Sequence, residues 1–328
     1  MIKRIHLKAL TALALAAVLP LPLALAADAG DWPNRAVTLV IPYPAGGTSD
    51  VVGRLLAKRL QEELGQSFVA DNKAGAATAI GAMAVARAPK DGYTLLLSAG
   101  TTFTVIPHLN DSLQYKLTDF EPVAPVCAVP FAFVVKKDFP AKTLSEFVAY
   151  GKANPGKINN ATNGQGSMVH LLGEVIANGT DVKMTQIHYR GAAPATVDML
   201  AGVVDSNVEA LTSALPNVNA GKYRALAVLS DKRQQTMPDV PTFKELGYPS
   251  IVGETWYAVF APAGTPKPVV DTLNAALNKI TTSTSFQDAM QKIGNESKSG
   301  TPAELRELTA QQSRQWGDLI KRLNIKSE

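Results

Sequence analysis

The sequence predicts an α/β fold of two domains built on mostly parallel sheets, and three features of the chain predict it. Short β-like runs alternate with helical faces from Val37 to the C-terminus, the pattern of strand–helix–strand units. Turns that lead from a strand into a helix are repeatedly made of Gly, Ser, Thr and Ala. Two irregular, proline-bearing stretches, "EPVAPVCAVPFAF" from Glu121 and "MPDVPTFKELGYPS" from Met237, flank a middle block with its own alternation. Such a block reads as one domain inserted between two parts of another.

The chain opens with a leader. Lys3, Arg4 and Lys8 precede an uncharged apolar stretch from Ala9 to Leu25, and Ala24-Leu25-Ala26 supplies small residues at the cleavage positions. This is the order of a secretory signal peptide over residues 1–26. Pro20 and Pro22 interrupt the apolar run, and no basic stop-transfer cluster follows it before Arg35, which argues against a membrane anchor. The expected address is therefore the periplasm. The chain holds 32 basic and 28 acidic residues, a formal charge of +4; the leader carries three of the basic residues and no acidic one, which leaves +1. A balance so near neutral gives no nucleic-acid footprint. Cys127 is the single cysteine, so no internal disulfide forms, and its apolar surroundings read as core.

The strands are expected at Val37–Ile41, Tyr93–Leu97, Phe131–Val135, Lys157–Ala161, Thr185–His188, Ser206–Ala210 and Ala225–Leu229. Val52, Leu55, Leu56, Leu60 and Leu64 share one helical face, closed by Gly65. Val169, Leu171, Leu172, Val175 and Ile176 share another, with Gly179 as its expected stop. Ala195–Leu200 follows a proline suited to a first helical turn. Val269, Val270, Leu273, Leu277 and Ile280 form a further face, and a last helix after Thr301-Pro302 runs through Leu305, Leu308 and Trp316. Trp256 and Tyr257 read as core, with a pocket wall as the alternative.

The glycine turns carry the functional argument. "PYPAGGTSD" lies between a strand's carboxyl end and a helix's amino end, where ligands dock on open α/β sheets. The free amides and positive dipole of a helix start favour an anion, and Gly46 and Gly47 remove side chains that would keep a carboxylate away. Thr48 and Ser49 add hydroxyls; Asp50 is a candidate cap whose charge would repel a second anion. Alone, the segment reads equally as a tight turn with an N-cap and no ligand. Three more turns share its character: "NGQGSMVHL" from Asn163, with Ser167 as the expected cap and His170 in the first turn; "HYRGAAPA" from His188; and "SAGTTF" from Ser98. Arg190 is their one cation, so a small anionic or polar ligand would be held by amides, hydroxyls and water.

Enzyme frames are missing. No G-x-S-x-G elbow is present. "GKANPGKI" places Ile158 where a phosphate-binding loop needs Ser or Thr, and it follows a helix. Beyond the leader, His108, His170 and His188 have no H-x-x-x-H spacing and no second cysteine, so no zinc site is expected. A Ser167–His170 nucleophile pair is the residual hydrolase alternative.

In order along the chain, "IPYPAGGTSDVVGRLLAKRL", "DGYTLLL", "NPGKINNATNGQGSMVHL", "HYRGAAPATVDMLAG", "AGKYRALAVLSDKR", "MPDVPTFKELGYP" and "WYAVFAPAGTPKPVV" resemble the Bug (TctC-like) family, periplasmic solute receptors of tripartite tricarboxylate transporters. The resemblance implies a type II periplasmic-binding-protein fold: two α/β domains, residues 27–126 plus 253–328 and residues 127–252, joined by two crossover segments around a ligand cleft. It implies that Tyr43, Ala45, Gly46, Gly47, Thr48, Ser49 and Asp50 form one wall and Gly164, Gly166, Ser167 and His170 the other. Thr101 and Thr102 of the Ser98–Thr102 loop and Asp205 are implied neighbours. The expected partners are a small carboxylate and the membrane subunits of a tripartite tricarboxylate transporter, with a sensor histidine kinase as the alternative; a monomer without a cofactor is expected. The chain departs from the family in two places. "DNKAGAAT" has Lys73 and Ala74 for Arg and Pro and Ala77-Thr78 for a glycine pair, and "SNVEA" has Val208-Glu209 for a Phe-Asp pair.

Overall fold

A computed structural model describes residues 32–322 and Ile325; the predicted leader lies outside them. Among the described residues ten strands join one sheet: β1 (Val37–Ile41), β2 (Phe68–Asn72), β3 (Thr94–Ala99), β4 (Phe120–Lys136), β5 (Ile158–Thr162), β6 (Met184–His188), β7 (Ser206–Ala210), β8 (Tyr223–Val228), β9 (Glu254–Pro262) and β10 (Glu296–Ser297); eight follow the order β2-β1-β3-β9-β4-β7-β5-β6, and β8 and β10 pair with β4 off that path. The helices that position the site are α1 (Thr48–Leu64), α2 (Ala79–Ala86), α3 (Thr101–Thr104), α4 (Ile106–Leu109), α5 (Leu144–Ala153), α6 (Met168–Thr180), α7 (Ala192–Leu200) and α8 (Leu211–Asn219). Beyond β9 come α9 (Lys267–Thr282), α10 (Thr284–Lys292) and α11 (Pro302–Arg322).

The sheet is parallel at its two ends and antiparallel at its centre. β2, β1 and β3 run parallel, as do β6, β5 and β7. Between them, β9 is antiparallel to β3 and β4, and β4 is antiparallel to β7 and β8. β4 is the joint. Its first half pairs with β9 and β10, and its second half lies between β7 and β8. The "EPVAPVCAVPFAF" stretch that reads as irregular is therefore part of one 17-residue strand. Proline cannot donate to a ladder; register shifts at Pro122/Ala124 and Pro125/Cys127 let the strand continue past two of its prolines. β9 carries Trp256 and Tyr257 and is buried along nearly its whole length, so it shows the unbroken apolar run of a strand covered on both faces.

The cores divide about this joint. Val52, Leu56 and Leu60 of α1 pack with Val37, Leu39, Val259, Leu273 and Leu277 in one lobe. Phe131, Phe133, Phe147, Leu172, Ile176 and Phe243 pack in the other. Cys127 is fully buried in the first core, and burial pushes its thiol up to about 12. Gly65 closes α1 in the left-handed conformation, φ 71°. Gly179 does not close α6. The helix runs on to Thr180, Asp181 takes the left-handed turn at φ 55°, and Gly179 instead lets Ile251 pack against the helix. α7 begins at Ala192, so Pro194 sits within its first turn. No helix among the described residues is long and apolar enough to cross a membrane.

Candidate ligand site

Two loops leave the carboxyl ends of parallel strands and enter long helices, one in each lobe: 42–47 between β1 and α1, and 163–167 between β5 and α6. They are built alike. Gly46 is left-handed at φ 85° and Gly166 at φ 71°, a conformation that L side chains avoid. In the first loop, the Gly46 amide donates to Asp50 Oδ2 at 2.9 Å. In the second, the Gly166 amide donates to His170 Nδ1 at 3.1 Å. Each bond spans four residues and ties the loop to the first turn of its own helix.

This wiring decides which donors face outward. The ladder of α1 starts with Asp50 and Val51 donating to Gly47 O, both at 3.1 Å, and helix geometry leaves the Gly47, Thr48 and Ser49 amides outside it. In α6 the Ser167 amide donates to Gly164 O at 3.1 Å, and the Gly164 amide reaches Thr162 Oγ1 at 3.4 Å. Ser167 Oγ accepts from the His170 amide at 3.2 Å and keeps its own proton to donate. The amides outside the α6 ladder are those of Met168 and Val169. The Gly46, Gly164 and Gly166 amides are thus spent on shaping the loops, and Gly47 and the first helical turns present the donors.

Asp50 is buried but does not oppose an anion. Burial raises its carboxyl, yet the Gly46 amide, Arg54 and Asn72 outweigh that and hold it below the usual carboxylate range. Arg54 Nε lies 2.9 Å from Oδ1 and takes up the charge. Asn72 also donates to Tyr43 O at 3.1 Å, fixing the loop from β2. Ala45 and Gly46 are exposed and Thr48 is half-buried; a Cβ built at Gly46 meets nothing within 4 Å. Ser49 points inward, hydrogen-bonded to the Tyr257 phenol.

His170 is neutral. Burial, then the neighbouring His188, lowers it to about 4, and an Nδ1 that accepts from Gly166 carries no proton. Its 3.8 Å approach to Glu174 is therefore no ion pair. The His188 ring stands edge-on at 4.7 Å, held by Thr162 Oγ1 at 2.7 Å. Behind it, Gln186 accepts from Asn160 at 2.8 Å, and Asn160 accepts from Ser206 at 2.9 Å.

The remaining sequence candidates divide. Thr101 and Thr102 are both buried. Thr102 Oγ1 joins Ser98 at 2.6 Å, Thr78 at 3.0 Å and the Tyr43 phenol at 3.4 Å. Asp205 leaves the site. It accepts from the Asn159 amide at 2.9 Å and pairs with Lys136 at 2.7 Å, which puts it at the amino edge of β5 and β7, the edge opposite the glycine loop. Sequence spacing did not expose the Thr162–His188 and Asn160–Gln186 pairs, because each joins strands far apart in the chain. In the turn before α2, where the sequence has Ala77-Thr78 for the family's glycine pair, Ala76, Ala77 and Thr78 are all left-handed at φ 46°, 48° and 79°.

The lobes touch at these loops. Gly166 packs against Leu109, and Gly191 at the start of α7 faces Pro44. Val105, Leu109, Leu171 and Ile320 form a small shared core, with Trp316 against it. No group of three His, Cys, Asp or Glu among the described residues is placed to hold a metal.

Comparison with known proteins gives a consistent likeness. The tripartite tricarboxylate transporter family receptor profile, TctC, matches residues 52–325. Protein BugT of Bordetella pertussis is 37% identical over 301 residues, 91% of this chain and 92% of that one. The solved structure of R. palustris Rpa4515 with adipate is 34% identical at TM-score 0.86, covering 90% of this chain and 99% of that one. MatC from Rhodopseudomonas palustris with bound malate is 31% identical at TM-score 0.81, covering 88% and 99%. The two-lobed arrangement described above is shared with these structures and with that of periplasmic binding protein BugD, 37% identical at TM-score 0.84 and covering 90% of this chain and 100% of that one.

Proposed function

We infer that this chain, which belongs to the tripartite tricarboxylate transporter receptor family, is a periplasmic receptor that captures a small carboxylate between its lobes and delivers it to the membrane subunits of such a transporter. One observation carries the reading: two helix N-termini from different lobes, each preceded by a left-handed glycine wired to its helix's first turn, open where the lobes touch. Paired amides and aligned dipoles suit a carboxylate. The adipate and malate of the related structures are small carboxylates of the class these helix starts suit. The basic-apolar-small leader supports export. Domains of 27–126 plus 253–328 and 127–252 would hinge on β4 and the return segment before β9. A ligand that needs donors from both lobes binds the closed state better and shifts the population toward it. The role is binding without turnover.

A thermal-shift screen of the purified chain against di- and tricarboxylates, with calorimetry on hits, tests this. A ligand selective for the native state adds about 2.7 kcal/mol of stability at 100 times its dissociation constant, and the midpoint rises with it. The expected result is a concentration-dependent shift with a small carboxylate. Binding of none of them by a folded chain would overturn the reading.

A further inference from the structure

Glu209 is buried, 4% exposed, near the carboxyl end of β7, the sheet edge from which the second glycine loop also leaves. Its Oε1 accepts from Asn207 Nδ2 at 3.1 Å, and the Thr196 hydroxyl of α7 bonds to the same carboxyl. Glu209 Oε2 and Asn207 Oδ1 are both buried without a hydrogen-bond partner among the described residues. Both are acceptors, both lie on the face of β7 covered by α7, and no lysine or arginine among the described ion pairs reaches Glu209. Thr196 stands five residues along α7 from Gly191, roughly 7 to 8 Å at 1.5 Å per residue, and Gly191 faces Pro44 of the other lobe. The orphaned acceptors therefore lie within a small ligand's length of the contact between the lobes.

A buried carboxylate without a counter-charge is costly, and a second carboxylate beside it would add to the cost. What the pair lacks is a cationic donor with several N–H groups. Resting on the receptor reading above, we propose that the physiological ligand is an amino-substituted carboxylate, whose ammonium is received by Glu209 Oε2 and Asn207 Oδ1 while its carboxylate meets the helix N-termini. The Asn207–Glu209 bond uses the amide nitrogen and Oε1, which leaves Oε2 and Oδ1 as the two unpaired acceptors. A neutral hydroxyl would satisfy one of them; an ammonium satisfies both.

Calorimetry with ligand pairs that differ only in the amine tests this: aspartate against succinate, glutamate against glutarate, 2-aminoadipate against adipate. The expected result is that the amine-bearing member of at least one pair binds about ten-fold or more tighter, the scale of one charged hydrogen bond. Glu209→Gln should then shrink that ratio about ten-fold. Should the variant fail to fold, the ratio in the unsubstituted chain decides alone. Des-amino members that bind as tightly as their partners would overturn the inference, since the acceptors would then be satisfied by buried water, while the receptor reading would stand. Binding of neither member of any pair, beside binding of another di- or tricarboxylate, would overturn the inference and leave the receptor reading; binding of no carboxylate at all, by a chain that circular dichroism shows folded, would remove both.

Discussion

His170 Nδ1 accepts the amide of Gly166 at 3.1 Å, and it does so at the same offset in its helix at which Asp50 accepts Gly46 in the other lobe. One backbone solution thus occurs twice, with a carboxylate as the acceptor in one lobe and a neutral imidazole in the other. The difference lies in burial: Gly46 is exposed and Gly166 is buried.

That difference sets the cost of breaking each bond. His170→Ala leaves a buried amide without an acceptor, which costs about 1–3 kcal/mol. In Asp50→Ala water reaches the Gly46 amide, so the loss should be the smaller of the two. Urea denaturation of both variants checks the order; equal losses would contradict it.

Stability should respond to pH through two buried groups of opposite sign. His170 is lowered from 6.5 to about 4 by burial and by His188. The unfolded chain therefore binds the extra proton first, and His170's contribution, present above pH 6.5, is lost as pH falls toward 4. Glu209 is raised from 4.5 to about 7 by burial, against bonds from Asn207 and Thr196. Its contribution is present below pH 4.5 and is lost as pH rises to 7. Each window is worth about 3 kcal/mol at 1.36 kcal/mol per unit. Between pH 4.5 and 6.5 the two largely cancel. Wild-type stability minus that of Glu209→Gln should fall with rising pH across 4.5–7; the same difference for His170→Gln should fall with acid across 6.5–4. Flat differences in guanidinium titrations at several pH values would contradict both assignments.

The turn before α2 holds Ala76, Ala77 and Thr78 in the left-handed region, where the Cβ of an L-residue costs about 1–2 kcal/mol. Ala77→Gly should stabilise the chain by about 0.5–1 kcal/mol after the entropy that glycine loses on folding. A fall in the thermal midpoint would show that the turn is not strained as described.

Gly166→Ala would place a Cβ 2.6 Å from Leu109 Cδ1 of the other lobe. It should weaken carboxylate binding by about ten-fold, the effect of a 1.4 kcal/mol penalty on the touching state. Leu109→Ala in the same chain should restore part of the loss; additive losses would show that the Leu109 contact does not matter to binding.

Much of this arrangement is legible in the sequence because it is local. β1 and the apolar face of α1 follow from periodicity, and the glycine-to-helix turns from residues within a few positions of one another. β4 escapes such reading because its prolines signal breaks, whereas bulges carry the strand through them. Asp205 is misplaced for a related reason: it lies close to Ser206 and Glu209 in the chain, but strand direction puts it at the opposite sheet edge, beside Lys136 and Asn159. The Tyr43–Thr102–Thr78 hydroxyl chain and the His170–His188 contact join residues of separate elements, not neighbours within one helix or turn, and no local pattern encodes them. Glu209 stands out in the sequence as a departure from the family pattern, and its orphaned oxygen appears only in the folded chain.

A crystal structure of the chain with a carboxylate found by calorimetry tests the central claim most directly. The account predicts one ligand carboxylate within hydrogen-bond distance of the Gly47, Thr48 or Ser49 amides, with the ligand also meeting the start of α6 through Met168, Val169 or the Ser167 hydroxyl. A ligand held by one lobe alone, or outside the cleft, would contradict it.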